Sequence, residues 1–464
     1  MFMSIRKLSE LIRTRQVSPL ALAEIFIDRL EKLGPKYNAV VTVTSKIALD
    51  QARLAEQEIA SGNYRGPLHG IPYGAKDLLA TSKGIPTTWG AAPFRDQIFD
   101  YDATVIDKLE RAGSALAAKL AMVELAGGMG FHYPDASFTG PGINPWDLTK
   151  WSGGSSNGSA SAVCAGLVPY AMGSETWGSI LYPASNCGIS GLRPTYGRVS
   201  RYGAMALSWS LDKLGPLCLT ADDCGLVLDA IAGADPKDPT TTTRPFKYTS
   251  ACLERPFKLG VLRGVTDEAD ESVRANFEQA LKVLERVATI ETVEFPDLPF
   301  EEIFRTIFFA ETYSAFEDFI ESDKIKGLTA PEDRYVPYAR MTIMAKDYIR
   351  ALRLRGIVAR KIANVMNPFD ALLAPTRPIP ATLLAEPIPS LVRGVMKDLM
   401  STVGNLAGLP AISVCNGFSE KGVPTGLQFM GSAYRENMII AVARAYQSLT
   451  DWHLCHPIDA SQEA

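Results

Sequence analysis

Residues 152–183 read SGGSSNGSASAVCAGLVPYAMGSETWGSILYP, and they are the most informative stretch of the chain. Two Gly/Ser-rich loops, residues 153–159 and 173–179, flank an apolar run of small residues. Glycines let backbone N–H groups approach a bound atom closely, and runs of such groups form concavities that hold anions. Because serine hydroxyl groups occupy the same loops, the stretch predicts a binding or catalytic site.

Two other interpretations of these loops are weaker. A nucleotide-binding phosphate loop is not indicated, because no Gly-Lys-Ser/Thr follows the glycines. A flexible linker is not indicated either, since linkers do not contain an apolar run such as AVCAGLV.

The composition is that of a globular protein with ample material for a hydrophobic core. The 464 residues carry a net charge of −4, and 47% of them are hydrophobic. The chain has no basic block, which argues against nucleic-acid binding, and no stretch approaches the ~18 apolar residues of a membrane span. The first residues lack the apolar run of a signal peptide, and the seven cysteines are scattered. We therefore expect a cytoplasmic protein with reduced thiols.

Helical and strand-like patterns alternate along the chain, which predicts an α/β protein with a layered sheet. Ser18-Pro19 is an N-cap followed by proline at the first helical position, and it opens an amphipathic helix. The apolar, turn-bounded residues 66–75 predict a strand that delivers Lys76 at its end. Helical patterns dominate residues 300–364.

The 152–183 stretch resembles the motif of the amidase signature family of serine hydrolases. That motif runs Gly-Gly-Ser-Ser-Gly-Gly-Ser and later Gly-Ser-Asp-Thr-Gly-Gly-Ser-Ile-Arg-x-Pro-Ala. The resemblance extends to residues 69–77 (HGIPYGAKD), 187–200 (CGISGLRPTYGRVS) and 405–414 (NLAGLPAISV), so it covers most of the chain.

This resemblance implies the fold class and the domain organisation. The expected fold is α/β, a single large domain over residues 1–464 with a mixed, twisted central β-sheet sandwiched between layers of α-helices. Its signature core would cover about residues 66–234, and a helical wall of the cleft would cover about residues 300–355.

The resemblance also implies a catalytic unit of two serines and a lysine. Ser179 matches the nucleophile, Ser155 matches the bridging serine that the family holds through a cis peptide bond, and Lys76 matches the base. The chain has only four histidines, and none follows a Gly-x-Ser-x-Gly elbow. A Ser-His-Asp enzyme is therefore not indicated, and lysine is a known substitute for the histidine base. Burial would lower the pKa of Lys76 and leave a neutral amine able to accept a proton.

An oxyanion hole is expected in the second Gly/Ser-rich loop. Its donors would be the backbone N–H groups of four consecutive residues: Thr176, Trp177, Gly178 and Ser179. The chain departs from the family pattern here, because Trp177 replaces the first glycine, Glu175 replaces Asp, and Leu181 replaces Arg. If the family's Asp and Arg support each other by charge, both partners have changed together.

Met129, Gly130 and Trp177 are predicted to contact the substrate. Residues 129–138 occupy the place where family members line the cleft, and they are aromatic-rich and almost uncharged. Residues 303–319 add an aromatic stripe at near-helical spacing, most of which we assign to the core. The Trp177 ring is predicted to wall the pocket, with packing into the core as the alternative. Such an aromatic, weakly charged cleft favours bulky neutral substrates.

Three functions remain open. The favoured one is a stand-alone hydrolase that cleaves the C–N bond of bulky neutral aryl or alkyl amides, with carbamates (urethanes), anilides or esters as further substrates. The second is the glutaminase subunit of a tRNA-dependent amidotransferase. Against it, residues 334–341 (RYVPYARM) do not reproduce the segment that supplies an arginine for the glutamine carboxylate in that family. The third is a non-catalytic binding homologue, against which the three intact catalytic positions argue.

The same reasoning sets expectations for cofactors and partners. We expect no cofactor and no metal, because the only His/Cys group, residues 453–456, has no second cluster to pair with. The expected partner is a small-molecule amide or carbamate, without nucleic acid or membrane, and the chain is expected to be a monomer or homodimer.

Overall fold

The computed structural model describes residues 1–130, 132–251, 255–388 and 398–458. Its α-helices are α1 Ile5–Arg13, α2 Pro19–Leu33, α3 Ser45–Ala60, α4 Thr104–Arg111, α5 Asn157–Cys164, α6 Leu181–Cys187, α7 Ala221–Ile231, α8 Glu271–Leu284, α9 Phe300–Glu321, α10 Ala345–Met366, α11 Leu399–Leu406 and α12 Glu436–Ser448. Its strands are β1 Val40–Val43, β2 Pro72–Lys76, β3 Ala115–Leu120, β4 Ile143–Asn144, β5 Asp147–Trp151, β6 Tyr170–Glu175, β7 Ser190–Arg193, β8 Lys213–Cys218, β9 Phe257–Leu262, β10 Ala288–Val293, β11 Ala371–Pro375, β12 Ala411–Phe418 and β13 Pro424–Met430.

Eleven of these strands form one mixed sheet. Their order is β1-β3-β2-β6-β8-β7-β12-β13-β11-β9-β10, and β4 pairs with β5 in a separate two-stranded sheet. The pairs β2–β3, β2–β6, β9–β10 and β9–β11 are parallel, and the remaining pairs of the large sheet are antiparallel. The predicted α/β fold with a mixed central sheet is confirmed.

Helices cover both faces of this sheet, as the alternation of side chains along β11 shows. Leu373 lies in a core cluster that includes residues of α7, α8 and α12. Its neighbours Leu372 and Ala374 lie in a different cluster, with residues of α9, α10 and α11. Because successive side chains of a strand point to opposite faces, the two clusters lie on opposite sides of the sheet.

The local signals in the sequence correspond to real element boundaries. Ser18 Oγ accepts a hydrogen bond from the Ala21 N–H at 3.1 Å, and Pro19 is the first residue of α2. The strand predicted within residues 66–75 is β2, which ends at Lys76 with every residue buried.

Strand pairing fixes where the predicted catalytic residues lie. β2 runs parallel to β6, with Gly74 opposite Ala171 and Ala75 opposite Met172. Parallel neighbours end at the same edge of a sheet. Lys76 is therefore carried to the edge at which β6 ends at Glu175 and residues 176–179 of the second Gly/Ser-rich stretch begin.

Two further expectations concern membranes and thiols. Over the described ranges, no helix has the length and apolar character needed to cross a bilayer.

The six cysteines within those ranges are free, and Cys455 alone among them is exposed. The seventh, Cys252, lies outside the described residues.

Candidate active site

Lys76 lies at the centre of a fully buried cluster of hydroxyl groups. Its Nζ is 2.7 Å from Ser155 Oγ and 3.0 Å from the hydroxyl oxygens of Ser156 and Ser174. Burial lowers the pKa of Lys76 well below its usual range, and the charges of Asp212 and Glu175 offset only part of that effect. A neutral amine in contact with a serine hydroxyl can accept its proton.

The first Gly/Ser-rich loop brings Ser155 to this lysine. Its residues 153–156 lie between β5 and α5, residues 157–159 form the start of α5, and the Gly154–Ser155 peptide bond is cis, as the family resemblance implies. Gly153 has a φ of +91°, and a side chain there would meet the Pro183 backbone at 2.9 Å. The glycine at this position is therefore required both by the backbone conformation and by the close approach of α6.

Ser179 lies on the second loop, which packs directly against the first. Its carbonyl oxygen accepts a hydrogen bond from the Ser156 N–H at 3.3 Å. The residue is 9% exposed and lines a cavity of about 280 Å³, so this serine, unlike Lys76, is open to a ligand. Gly178 has a φ of +80°, and a side chain there would collide with the Tyr182 ring.

The backbone N–H groups of this loop point to no acceptor. Among the described residues, none accepts a hydrogen bond from the N–H of Thr176, Trp177, Gly178 or Ser179. The loop is held instead by other atoms, since Thr176 Oγ1 donates to Asp212 Oδ1 at 2.6 Å. Unused, consecutive N–H groups beside a serine hydroxyl are what an oxyanion hole requires.

Glu175 anchors the second loop through a buried ion pair. Arg193 Nη1 donates to Glu175 Oε1 at 2.7 Å, and Asn405 Nδ2 donates to the same oxygen at 3.0 Å. The other carboxylate oxygen accepts the N–H groups of Ile180 and Leu181. Burial alone would raise the pKa of Glu175, but the positive charges of Arg193 and Lys213 bring it below its usual value.

The sequence analysis expected that Glu175 and Leu181 replace both partners of one charge pair. In the structure, the cationic partner of Glu175 is Arg193. Arg193 belongs to the 187–200 segment that carries the family resemblance, and it is the last residue of the buried strand β7.

Lys119 and Asp77 form a second buried ion pair beside the cluster. Their side chains are 2.9 Å apart, and Lys119 Nζ also donates to Thr87 Oγ1 at 2.7 Å. Both side chains are fully buried and neither lines the cavity of Ser179.

The cavity of Ser179 is largely apolar but is also lined by four Arg, Asp and Glu side chains. Its apolar walls come from Trp151, Trp177, Leu207, Phe308, Phe309, Val336 and Ile388. The four charged side chains are Arg305, Glu332, Asp333 and Arg377. The cleft is therefore aromatic, as predicted, but it is not weakly charged.

The three predicted substrate-contacting residues have different positions. Trp177 lines the cavity, and its ring also packs on Phe304 with a centroid distance of 4.8 Å. Gly130 lines the cavity as well. Met129 does not, because its side chain is fully buried in the hydrophobic core.

None of the four histidines contacts the lysine–serine cluster. His69 lies 3.0 Å from Glu58, and His132 lines the cavity without a hydrogen bond to Ser155 or Ser179. Across the described ranges, no group of three or more His, Cys, Asp or Glu side chains is arranged to hold a metal ion.

Comparisons with known proteins agree on one family. The family model named Amidase matches residues 21–440. The A subunit of glutamyl-tRNA(Gln) amidotransferase from Carboxydothermus hydrogenoformans is 35% identical over 98% of this chain and 99% of that protein. Proteins of the same name from other bacteria are 34–36% identical over similar lengths.

Solved structures give the same result. One, described as a vestigial protein complex that reveals the evolutionary origins of an s-triazine catabolic enzyme, has a TM-score of 0.88 at 27% identity and covers 96% of this chain and 98% of its own. Another, a bacterial aryl acylamidase of the amidase signature family, has a TM-score of 0.86 at 25% identity and covers 97% of this chain and 98% of its own.

Proposed function

The chain belongs to the amidase family, also known as the amidase signature family, and on that premise we propose that it hydrolyses an amide C–N bond through an acyl-enzyme on Ser179. The observation that carries this proposal is the buried Lys76, whose Nζ lies 2.7 Å from Ser155 Oγ. Burial among hydroxyl groups lowers the pKa of Lys76, which favours its role as a base, whereas Lys119 is paired with the carboxylate of Asp77.

In the proposed mechanism, Ser179 Oγ attacks the amide carbonyl carbon while its proton moves to Ser155 Oγ and the Ser155 proton moves to Lys76 Nζ. The oxyanion is stabilised by the unused N–H groups of residues 176–179, an effect worth about 3–4 kcal/mol per donor in other enzymes. The relay then reverses and protonates the departing amine. Water, deprotonated by the same relay, hydrolyses the acyl-enzyme and releases the acid.

A second candidate function is the glutaminase subunit of an amidotransferase. The relatives that are A subunits of glutamyl-tRNA(Gln) amidotransferase favour it, because they match nearly the whole chain at 34–36% identity. In that case the substrate amide is glutamine. A subunit of this kind would also need at least one partner protein. These relatives support this candidate better than a stand-alone hydrolase of bulky neutral amides.

A hydrolysis panel tests the proposal and separates the candidates. Purified protein is incubated with an aryl amide, an aliphatic amide, an aryl carbamate and free glutamine, and the released amine or ammonia is measured. The proposal expects turnover of at least one amide that disappears in Ser179→Ala. Turnover of glutamine above all others favours the second candidate function, and turnover unaffected by Ser179→Ala contradicts the mechanism.

A further inference from the structure

Arg377 is a buried arginine in the wall of the cavity that contains Ser179. It follows β11 in sequence, and only 2% of its surface is exposed. The guanidinium faces the Tyr182 ring at 5.8 Å, and both side chains line the cavity. Removing a guanidinium from water is unfavourable unless its charge and its N–H groups find partners.

Only one part of the Arg377 guanidinium has such a partner. Nη1 donates to Asn186 Oδ1 at 2.5 Å. Nε and Nη2 are buried and have no hydrogen-bond partner among the described residues. These two nitrogens share one edge of the planar group, and their parallel N–H bonds match the two oxygens of a carboxylate.

No acidic side chain of the described residues compensates the charge of Arg377. Burial lowers the pKa of Arg377 to about 10, with no acidic neighbour to oppose the effect. The carboxylate of Asp398 accepts hydrogen bonds from Tyr182 and the Ser401 N–H instead. Residues 389–397, which lie outside the described ranges, contain no Asp or Glu.

The other arginines near the site differ in this respect. Arg193 is fully buried and pairs with Glu175 at 2.7 Å. Arg305, which lines the same cavity, pairs with Glu301 at 2.7 Å. Arg377 thus combines burial, a free bidentate edge and a position on the cavity of the nucleophile.

We propose that the free edge of Arg377 binds a carboxylate of the substrate, so that the enzyme acts on amides that carry a carboxylate away from the scissile bond. This rests on the proposed amide hydrolase function and names its substrate class. The apolar walls, including Trp151 and Phe308, would pack the uncharged part of such a molecule. The neutral substrates expected from the sequence would leave the Nε–H and Nη2–H groups of Arg377 without acceptors.

Matched pairs of anilides test the proposal. One pair is the anilide of succinic acid and its analogue with an isopropyl group in place of the carboxylate. The other pair carries the carboxylate, or the isopropyl group, on the aniline ring. The wild-type enzyme is expected to prefer the acid in at least one pair by about 10- to 100-fold in kcat/KM, because two charged hydrogen bonds distinguish the pair.

Variants of Arg377 locate the cause of that preference. Arg377→Met is expected to abolish it by lowering kcat/KM for the acid alone. Arg377→Lys keeps the charge but not the bidentate edge, so it is expected to retain a small part of the preference for the acid. If the methionine variant does not fold, the lysine variant tests whether Arg377 causes the preference. Arg263→Met removes one exposed, cavity-distant arginine and is expected to leave the preference unchanged.

A binding measurement separates this proposal from the proposed function. Succinate is expected to raise the Tm of Ser179→Ala but not of Ser179→Ala/Arg377→Met. If no anilide is cleaved while succinate stabilises the protein through Arg377, the hydrolase function fails and the carboxylate site stands. If anilides are cleaved without preference for the acid, or the preference survives in Arg377→Met, the carboxylate site is wrong.

Discussion

Two sets of side chains near the cavity differ in how many hydrogen-bond partners they have. On the reaction side, Lys76 contacts three hydroxyl groups, and Glu175 accepts from four donors. On the recognition side, by which we mean the Arg377 guanidinium and the Trp177 ring, two Arg377 nitrogens and the indole nitrogen have no hydrogen-bond partner among the described residues. A satisfied group is fixed before a ligand arrives, whereas an unsatisfied buried group gains a partner only when a ligand binds. The first side is therefore organised for chemistry, and the second for recognition.

The largest effect is expected on the reaction side, from Ser179→Ala. This substitution removes the only atom proposed to form the acyl bond, so kcat should fall by at least about 10³-fold. The thermal unfolding midpoint should not change, because the Ser179 hydroxyl makes no hydrogen bond to a described residue. Activity that stays above about one percent of wild type would move the nucleophile to another residue.

The second prediction concerns the protonation of Lys76. Its pKa is lowered by burial, so the neutral form that can act as base is populated only above that lowered value. The rate should therefore rise with pH through the pKa of Lys76 and then level off, and this limb should be absent in Lys76→Met. The control is His132→Gln, the histidine that lines the cavity, which should keep the same profile. A pH limb that follows His132 instead would contradict the assignment of the base.

The third prediction compares the free energy of unfolding of one arginine variant on each side. Arg193→Met leaves Glu175 buried without its charge partner, and it should lower the free energy of unfolding by about 3–5 kcal/mol. Arg377→Met removes a buried charge that lacks an acidic partner, so the loss should not exceed about 1.5–3 kcal/mol, the value of a hydrogen bond from a charged group such as its bond to Asn186. Denaturant unfolding of both variants measures the difference. Equal losses would mean that Arg377 is also a structural residue.

The reaction side was more predictable from sequence than the recognition side. The apolar run before Lys76 and the glycines around Ser155 and Ser179 are local signals, and strand β2 and the two loops follow from them. The pairing of Glu175 with Arg193 and Asn405 joins parts of the chain up to 230 positions apart, and no local pattern encodes it.

The recognition side depends on how distant segments pack around the cavity. Met129 was assigned to the substrate by its position in the motif, but Leu125 and Ala126 adopt left-handed φ values of 47° and 54°. That turn presents Ala126 and Gly130 to the cavity and sends the Met129 side chain into the core. The free edge of Arg377 is a property of the assembled cavity, because any nearby acid would have removed it.

The smallest effect is expected on the recognition side, from Trp177→Gly. The ring lines the cavity and packs on Phe304, so its loss should weaken discrimination for bulky aromatic amides by about 1–3 kcal/mol, or ~10- to 200-fold in relative kcat/KM. Small amides should be cleaved nearly as before, because the backbone N–H at this position remains. Trp177→Phe, which keeps an aromatic wall, is the control. An equal fall for small and bulky amides would show that Trp177 supports the loop rather than the pocket.

The strand order has a consequence for how the protein is made. The hairpin of β12 and β13 lies between β7 and β11, so the sheet stays in two separate parts until residue 430 has left the ribosome. At about 5–20 residues per second, synthesis from Arg193 to Met430 takes on the order of 10 to 50 s. During that time β7 has an unpaired edge, the kind of surface that nascent-chain chaperones protect from aggregation. The hydrogen bond from Asn405 to Glu175 also forms only after residue 405 has been synthesised, so the second loop gains this contact late in translation.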